Sequence, residues 1–355
     1  MLSPLRMVRS LATPPVRSVL PPLPASVIDL PDAAPPRLLV VVDTEEEFDW
    51  SKPFDRANTG VEHMRSIERL QSVFDAAGVR PVYVIDHPIA TQRTSSEPLR
   101  AFAREGRAEI GAHLHPWVSP PFDEEVNARH SYPGNLPRAL EREKLLRLTG
   151  AIETHLGVRP RAYKAGRYGF GPNTAELLAE LGYAIDLSPC PPFDFGADDG
   201  PDFRSFPTAP FWLDRERALL SVPTTGAFVG WASGGGHALH GVANALRFAR
   251  VPGILSRLGA LERLSLSPEG YLPEHHVKLV NALLARGARV FTFALHSPSV
   301  LPGCTPYVRT EAELASFLDS CRRFLAFFLG EKHGVPRTAS ELHAELLHHS
   351  KTNPA

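Results

Sequence analysis

The sequence predicts an α/β fold in which mostly parallel strands alternate with helices. Short apolar runs alternate with segments of helical spacing from Leu38 onward, which is the pattern of repeated βα units. About six to eight such units would form either a barrel or an open doubly wound sheet. Polar residues suited to catalysis, Asp43, His113, Lys164 and His296, each lie at the C-terminal end of a predicted strand. Barrel enzymes assemble their sites at that end of the strands, so the barrel is favoured.

The first half of the chain contains four predicted βα units. A glycine ends each predicted helix, because glycine readily adopts the positive φ of a helix C-terminus. The predicted strands are 38–42, 81–86, 108–113, 161–165 and 184–187. The predicted helices are 61–77, 96–105, 136–156 and 173–181.

The second half begins with an irregular segment, 188–236, which could include a strand at 219–223. Long irregular segments of this kind commonly form binding loops. Regular patterns then return, and the last predicted helix opens with Thr310 and Glu313 in capping-box spacing. The remaining predictions are helical spacing over 243–261, a short strand at 264–266, a helix over 273–286 and an apolar strand over 290–295.

Composition excludes several classes of protein. The chain has 355 residues, with 38 Lys and Arg against 39 Asp and Glu. Nucleic acids select a basic surface, so this balance gives no reason to expect one as a partner. Cys190, Cys304 and Cys321 show no C-x-x-C spacing, which argues against a disulfide framework and a cysteine zinc site. Any metal would therefore bind to histidine and carboxylate, and the oligomeric state stays open.

Three regions are predicted along the chain. Residues 1–36 are rich in proline and are predicted to form a flexible arm. Residues 37–330 form the predicted single barrel domain, and 331–355 a polar C-terminal tail. The sequence shows no convincing signal peptide and no apolar run of about 18 residues, so we expect a cytoplasmic protein without a membrane span.

Two pairs of residues predict a metal site. Asp43 and Glu45 follow the first strand, and His113 and His115 end the third. Residues i and i+2 of an extended segment point the same way, so each pair could converge on one site. Two imidazoles and a carboxylate are a ligand set that holds Zn²⁺ with a position open for water. The second carboxylate would then be free to act as a base.

These landmarks resemble the polysaccharide deacetylase family (NodB homology, carbohydrate esterase 4) in their order and spacing, from Leu38 to Phe328. The matching segments are DTEEEFDW, HLHPW, the YKAGRYG segment around Lys164, and LHSPS. They look most like a branch of bacterial proteins associated with surface polysaccharides. The resemblance implies a distorted (β/α) barrel with about seven strands. It also implies a divalent metal, usually zinc, and hydrolysis of acetyl groups from N-acetylated sugars.

The resemblance also implies roles for individual residues. Glu45, His113 and His115 would bind the metal, whose bound water would be the nucleophile. Asp43 would be the base and His296 the acid that protonates the leaving amine. Three positions depart from the family pattern, and they concern the two histidines, the basic residue and an orienting acid. The two histidines are separated by one residue instead of three. Lys164 stands in place of an arginine, and Arg167 could take over the role of that arginine. The acid that orients His296 could be Asp186, which we favour, or Asp194.

Other polar and aromatic residues have simpler interpretations. Glu46, Glu47 and Asp49 are predicted to be solvated loop carboxylates. The same solvated state is predicted for the histidines outside the motifs, which are His237, His240, His275, His276, His348 and His349. Trp117, next to the second motif, is the best candidate for stacking on a sugar ring.

Two alternative functions remain. An amidohydrolase-type barrel also uses His-x-His at a strand end, but on its first strand, which here carries acids instead. A carbohydrate-binding protein that kept this fold and lost catalysis would bind acetylated sugar without releasing acetate.

Overall fold

The computed structural model of the chain describes residues 26–49, 51–236 and 258–353. Its strands are Arg37–Thr44 (β1), Val82–Ile85 (β2), Glu109–Leu114 (β3), Ala162–Ala165 (β4), Ile185–Asp186 (β5), Phe211–Trp212 (β6), Leu220–Ser221 (β7), Gly226–Val229 (β8), Glu262–Ser265 (β9), Val290–His296 (β10) and Val335–Pro336 (β11). Its α-helices are Ile67–Ala76 (α1), His87–Thr91 (α2), Arg93–Arg104 (α3), Arg138–Leu156 (α4), Thr174–Glu180 (α5), Pro273–Leu284 (α6), Glu311–Leu325 (α7) and Ala339–Thr352 (α8).

Seven parallel strands form the main sheet, in the spatial order β10, β1, β2, β3, β4, β5 and β7. β6 pairs antiparallel with β7, and β11 pairs with the start of β1. The antiparallel pair β8–β9 continues towards β10, where the Ala294 amide donates to the Leu266 carbonyl (3.1 Å). The sheet is thus a half-barrel surrounded by helices, which confirms the predicted distorted barrel.

The first strand lies between β10 and β2 in the sheet, and its sequence fits a strand with neighbours on both sides. Leu38 to Val42 are all fully buried, as expected for a parallel strand covered on both faces. β1 pairs with β10 from Arg37 to Asp43, in a register that places Asp43 opposite His296. The two strands therefore bring an early and a late motif of the sequence to the same point.

Two helices of the structure differ from the sequence prediction. α3 begins at Arg93 and contains Pro98 inside it, whereas the prediction began at Ser96. The short helix α2 was not predicted; the Asp86 side chain caps it by accepting from the Ile89 amide (2.8 Å). The predicted cap of the last barrel helix is present, since the Thr310 hydroxyl accepts from the Glu313 amide (3.2 Å).

The C-terminal region is not a polar tail, contrary to the prediction. β11 adds to the main sheet, and α8 buries Leu342 and Leu346 against the sheet face that contains Leu39 and Val41. The two leucines are four residues apart and share one helix face, but polar residues and histidines surround them in the sequence.

The described part of the predicted N-terminal arm is held against the fold. Ile28 is buried, and its amide donates to the Pro210 carbonyl (2.8 Å). Residues 1–25 of that arm, and residues 243–257 of the segment with predicted helical spacing (243–261), lie outside the described residues. Among the described helices, none combines the length and the apolar character needed to cross a membrane.

Candidate metal centre and catalytic site

Three predicted ligands meet at the C-terminal end of the sheet. Glu45 follows β1, while His113 lies on β3 and His115 follows it. The Glu45 Oε2 atom is 3.6 Å from His113 Nε2 and 3.4 Å from His115 Nε2. All three side chains are buried, and their ligand atoms lie within 4.8 Å of one another. The His-x-His spacing therefore brings both imidazoles to one point, as the extended geometry predicts.

The far side of each imidazole is held by a protein acceptor. His113 Nδ1 lies 2.9 Å from the Lys164 carbonyl oxygen, and His115 Nδ1 lies 2.8 Å from Glu46 Oε2. Each Nδ1–H donates to its acceptor, which leaves Nε2 unprotonated and directed at Glu45 in the neutral imidazole. Metal-binding histidines in proteins are commonly oriented in this way.

The donor set fits a divalent cation. Burial would raise the pKa of Glu45, but the charge of His296, followed by the hydrogen bond with His113 and the proximity of His115, outweighs burial and lowers that pKa. A carboxylate and two imidazoles match the ligands of a catalytic zinc site. Glu45, His113 and His115 thus form a candidate site for a metal ion.

Asp43 lies beside this cluster and is bound by a lysine. Lys164 Nζ donates to Asp43 Oδ1 (2.8 Å) and Oδ2 (2.6 Å), and both side chains are buried. Burial would raise the pKa of Asp43, but the positive charge of Lys164, followed by His113 and His296, lowers it. Asp43 is therefore ionised at neutral pH, and Lys164 contacts both of its oxygens although it lacks a guanidinium.

Arg167 does not contact Asp43. Its guanidinium donates to the Ser131 hydroxyl (2.6 Å) and lies over the Tyr132 ring, 4.1 Å from the ring centroid. Its backbone has φ of +54°, an uncommon value for a residue with a side chain. Arg167 thus shapes the loop after β4, while Lys164 makes the contact that the family pattern assigns to arginine.

The acid beside His296 is Glu269, and neither Asp186 nor Asp194 contacts this histidine. Glu269 Oε2 lies 2.6 Å from His296 Nδ1, and Glu269 Oε1 accepts from the His296 amide (3.2 Å). Asp186 is buried between β5 and β7, where it accepts from the hydroxyls of Ser188 (2.5 Å) and Ser221 (2.9 Å). Asp194 instead pairs with Arg204 (3.4 Å).

His296 is therefore held with its other nitrogen facing the site. Its Nε2 atom lies 3.6 Å from Asp43 Oδ2. Burial would lower the pKa of His296, but Glu269, then Glu45 and Asp43, raise it to about 10. The imidazole is consequently protonated at neutral pH and can donate a proton from Nε2.

Glu46 is buried beside the ligands, although a solvated loop carboxylate was predicted. Its Oε1 accepts from Trp117 Nε1 (2.7 Å), its Oε2 holds His115, and its amide donates to Asp86 Oδ2 (2.7 Å). Burial raises the pKa of Glu46 to about 7. In a run of acidic residues such as Glu45–Glu46–Glu47, the sequence alone does not reveal which side chains are buried.

Trp117 is part of the same arrangement and is buried, so its ring has no free face for a sugar. It stacks on the His115 ring with centroids 4.4 Å apart and packs on Phe54 at 4.6 Å. Its predicted stacking on a substrate does not fit this burial. Trp117 instead fixes the plane of a ligand imidazole.

Replacing Glu46 by alanine is expected to weaken metal binding by about 10- to 100-fold, the usual effect of losing an outer partner of a ligand histidine. The His115 ring would lose the acceptor that fixes its orientation. Competition with a chromophoric chelator measures the affinity. Glu62→Ala is the matched control, because Glu62 pairs with Arg65 at an exposed position. Equal affinities in Glu46→Ala and the control would contradict this role.

A second histidine network lies under the site. His63 Nε2 is 2.8 Å from the Ser297 hydroxyl, and His63 Nδ1 is 2.9 Å from Glu47 Oε1. These distances resemble a Ser-His-acid triad, but Ser297 and His63 are fully buried and cannot reach a substrate. The network ties the loop after His296 to the segment before α1, and Glu47 is not the solvated carboxylate that was predicted.

Of the other residues that were predicted to be solvated, some are exposed and some are buried. Asp49 is exposed, as expected. His276 is buried, with Nε2 2.7 Å from the Ser267 carbonyl oxygen, and is not solvated. His237 and His240 lie outside the described residues.

Comparison with solved structures identifies the fold. A protein from Mycobacterium smegmatis assigned to the polysaccharide deacetylases superposes with a TM-score of 0.54 at 18% identity, over 92% of this chain and 96% of that chain. Another such assigned protein, from Pseudomonas aeruginosa PAO1, has a TM-score of 0.53 at 17% identity, over 90% and 92% of the two chains. No protein-family model and no curated protein matches the sequence. At this identity the likeness concerns the fold alone, and at that level the resemblance read from the sequence is confirmed.

Proposed function

Starting from a chain that has the polysaccharide deacetylase fold, we propose that it is a metal-dependent hydrolase that removes acetyl groups from an N-acetylated sugar or polysaccharide. One observation carries the proposal: a metal-ligand cluster, an ionised carboxylate and a protonated histidine lie together at the C-terminal end of one sheet. These are Glu45 with His113 and His115, then Asp43, and His296. Metal-assisted amide hydrolysis uses each of these three functions.

Glu45, His113 and His115 would hold the metal, and zinc is the metal that this ligand set favours. When bound, such an ion polarises a carbonyl and makes water more acidic. The chain's own residues supply the proton transfers around it.

Asp43 would accept the proton of the attacking water. Its pKa is lowered by Lys164 despite burial, so the carboxylate is ionised at neutral pH. Lys164 contacts both oxygens and so restricts their position. A base held in one position serves general-base catalysis better than a mobile one.

His296 would deliver a proton to the leaving amine. Glu269 binds its Nδ1, so the proton on Nε2 faces the same space as Asp43. Base and acid thus lie on β1 and β10, whose register fixes their separation. Without protonation the amine is a poor leaving group.

Replacing Glu269 by glutamine is expected to shift the alkaline limb of the pH–rate profile to lower pH by about 1–3 units, the effect of removing a nearby opposite charge. The Glu269 carboxylate raises the pKa of His296. An acid works only below its pKa, so activity would be lost at a lower pH when that pKa falls. A kcat–pH profile measures the shift, and Glu311→Gln at an exposed position is the control. An unmoved alkaline limb would contradict the role of Glu269.

An acetate-release assay on acetylated sugars, with metal-loaded and chelator-treated protein, tests the proposal. We expect acetate from the loaded protein, loss with chelator and recovery when metal is restored. Equilibrium binding of acetylated sugar without any acetate release would instead support a carbohydrate-binding protein that has lost catalysis. Release that chelator leaves unchanged would contradict the metal-dependent reaction.

A further inference from the structure

An arginine without an acidic partner lies near the candidate site. Arg263 is half-buried on β9, and across the described ranges no carboxylate forms an ion pair with its guanidinium. The guanidinium lies over the Phe193 ring, 4.2 Å from the ring centroid. Burial lowers the pKa of Arg263, and only Tyr271 and Cys190 oppose that shift. A partly desolvated cation of this kind gains free energy when an anion binds to it.

A row of aromatic rings connects Arg263 to the catalytic pair. Lys164 Nζ lies 4.9 Å from the Tyr168 ring centroid, and Tyr168 stacks on Phe195 at 5.4 Å. Phe195 stacks on Phe193 at 6.2 Å, and Arg263 lies over Phe193. The row therefore leads from the lysine that holds the base to the unpaired cation.

Arg263 and the catalytic pair also act on shared groups that lie between them. The charges of Lys164, Asp43 and Arg263 all act on the buried Cys190 thiol. Glu269 acts on Tyr307, which lies close enough to Tyr271 for the two to interact. Arg263 thus shares its surroundings with both the base and the acid of the site.

Several rings of this region are partly open to solvent. Tyr168, Phe193, Phe195 and Tyr271 are half-buried, and Tyr307 is exposed. Aromatic faces that are partly open and lie beside polar groups suit the apolar faces of sugar rings. Sugars would therefore stack on this row of rings and not on the buried Trp117.

Two other arginines near the aromatic row already have acidic partners. Arg204 pairs with Asp202 (2.6 Å), and Arg167 lies 3.6 Å from Asp198. Next to Arg263 on the strand, Glu262 pairs with Lys278 (2.8 Å). Arg263 thus differs from its neighbours in having its charge available to a ligand.

We propose that the sugar substrate carries an anionic group, a carboxylate or a phosphate, and that Arg263 binds this group beside the aromatic row. Arginine suits both anions because its planar fork donates two parallel hydrogen bonds to either. The inference rests on the proposed function for the acetylated part of the substrate. The anionic group adds a substrate class that the metal centre alone does not specify.

Isothermal titration with three probes tests the inference on the metal-loaded protein. The probes are an N-acetylglucosamine disaccharide, an N-acetylated disaccharide containing a uronate, and N-acetylglucosamine 1-phosphate. We expect one anionic probe to bind about 10- to 100-fold more tightly than the neutral one, the range for hydrogen bonds to charged groups. Preference for the uronate or for the phosphate identifies the anion.

Substitutions at Arg263 show whether this arginine, and not the metal ion, binds the anionic group of a probe. Arg263→Gln should remove the preference and leave binding of the neutral probe unchanged, while Arg263→Lys should retain part of the preference. Arg204→Gln is the matched control, because Arg204 is an exposed arginine that is already paired. Thermal unfolding shows whether each variant folds.

Three results would overturn the inference: no preference for either anion, an equal loss for all probes in Arg263→Gln, or an equal effect in Arg204→Gln. These results are distinct from failure of the proposed hydrolysis. Anion preference without acetate release contradicts the hydrolase and leaves the inference intact. Chelator-sensitive acetate release without anion preference contradicts the inference and leaves the proposed hydrolase intact.

Discussion

Replacing His115 by alanine is expected to abolish metal binding and acetate release together. His115 Nε2 is one of three donor atoms around the candidate metal position. Loss of a direct ligand should weaken binding by more than about 100-fold, the upper value for loss of an outer partner. Elemental analysis of the purified variant gives its metal content, and the acetate assay gives its turnover.

The control for this variant is His348→Ala, since His348 is an exposed histidine on α8. It should keep both the metal and the activity of the unchanged protein. Unchanged metal content in His115→Ala, in a variant whose thermal unfolding shows that it folds, would contradict the ligand assignment.

Replacing Asp43 by asparagine is expected to lower kcat by about 10²- to 10⁴-fold, the usual contribution of a general base, while the metal stays bound. Asparagine has nearly the same shape as aspartate, and Asp43 is not one of the three ligands. The change also leaves the buried Lys164 without its counter-charge. Breaking a buried ion pair in this way costs about 3–5 kcal/mol of the free energy of unfolding.

Two further variants separate the effect of Asp43→Asn on kcat from its effect on stability. Asp49→Asn, at an exposed position, should leave kcat and stability unchanged. The double variant Asp43→Asn/Lys164→Met should recover part of the lost free energy of unfolding without recovering kcat. Near-normal kcat in Asp43→Asn would show that another group is the base.

The convergence of side chains that the sequence predicted concerns residues whose geometry is set locally. Asp43 and His113 lie near the ends of buried strands, and Glu45 and His115 follow two residues later, so the i, i+2 relation determines where they point. The buried valines of β1 identify a central parallel strand without further information. Such features depend on a few neighbouring residues and on the alternation of side chains along a strand.

The residues that sequence reasoning missed depend on contacts between distant segments. Glu269 follows a four-residue strand and reaches His296 across 27 positions. Only its place after an apolar run, like that of Asp43, could have indicated it. Glu46 reaches Trp117 across 71 positions, and no local pattern distinguishes it from the neighbouring acids.

The extent of the domain was underestimated for a related reason. Helix α8 carries few apolar residues, and their burial depends on the open face of a sheet formed by residues far earlier in the chain. A polar composition therefore indicated a tail where the structure has a packed helix. Packing against the distant sheet buries the apolar residues of this helix, and the local composition does not reveal that packing.

Anomalous X-ray diffraction at the zinc edge, from crystals of the zinc-loaded protein, tests the central claim most directly. We expect one strong peak bounded by Glu45, His113 and His115, with zinc–nitrogen distances of about 2.0–2.1 Å. A peak at the neighbouring cluster of Glu46 and Asp86, or no peak at Glu45 in fully loaded protein, would contradict the metal centre.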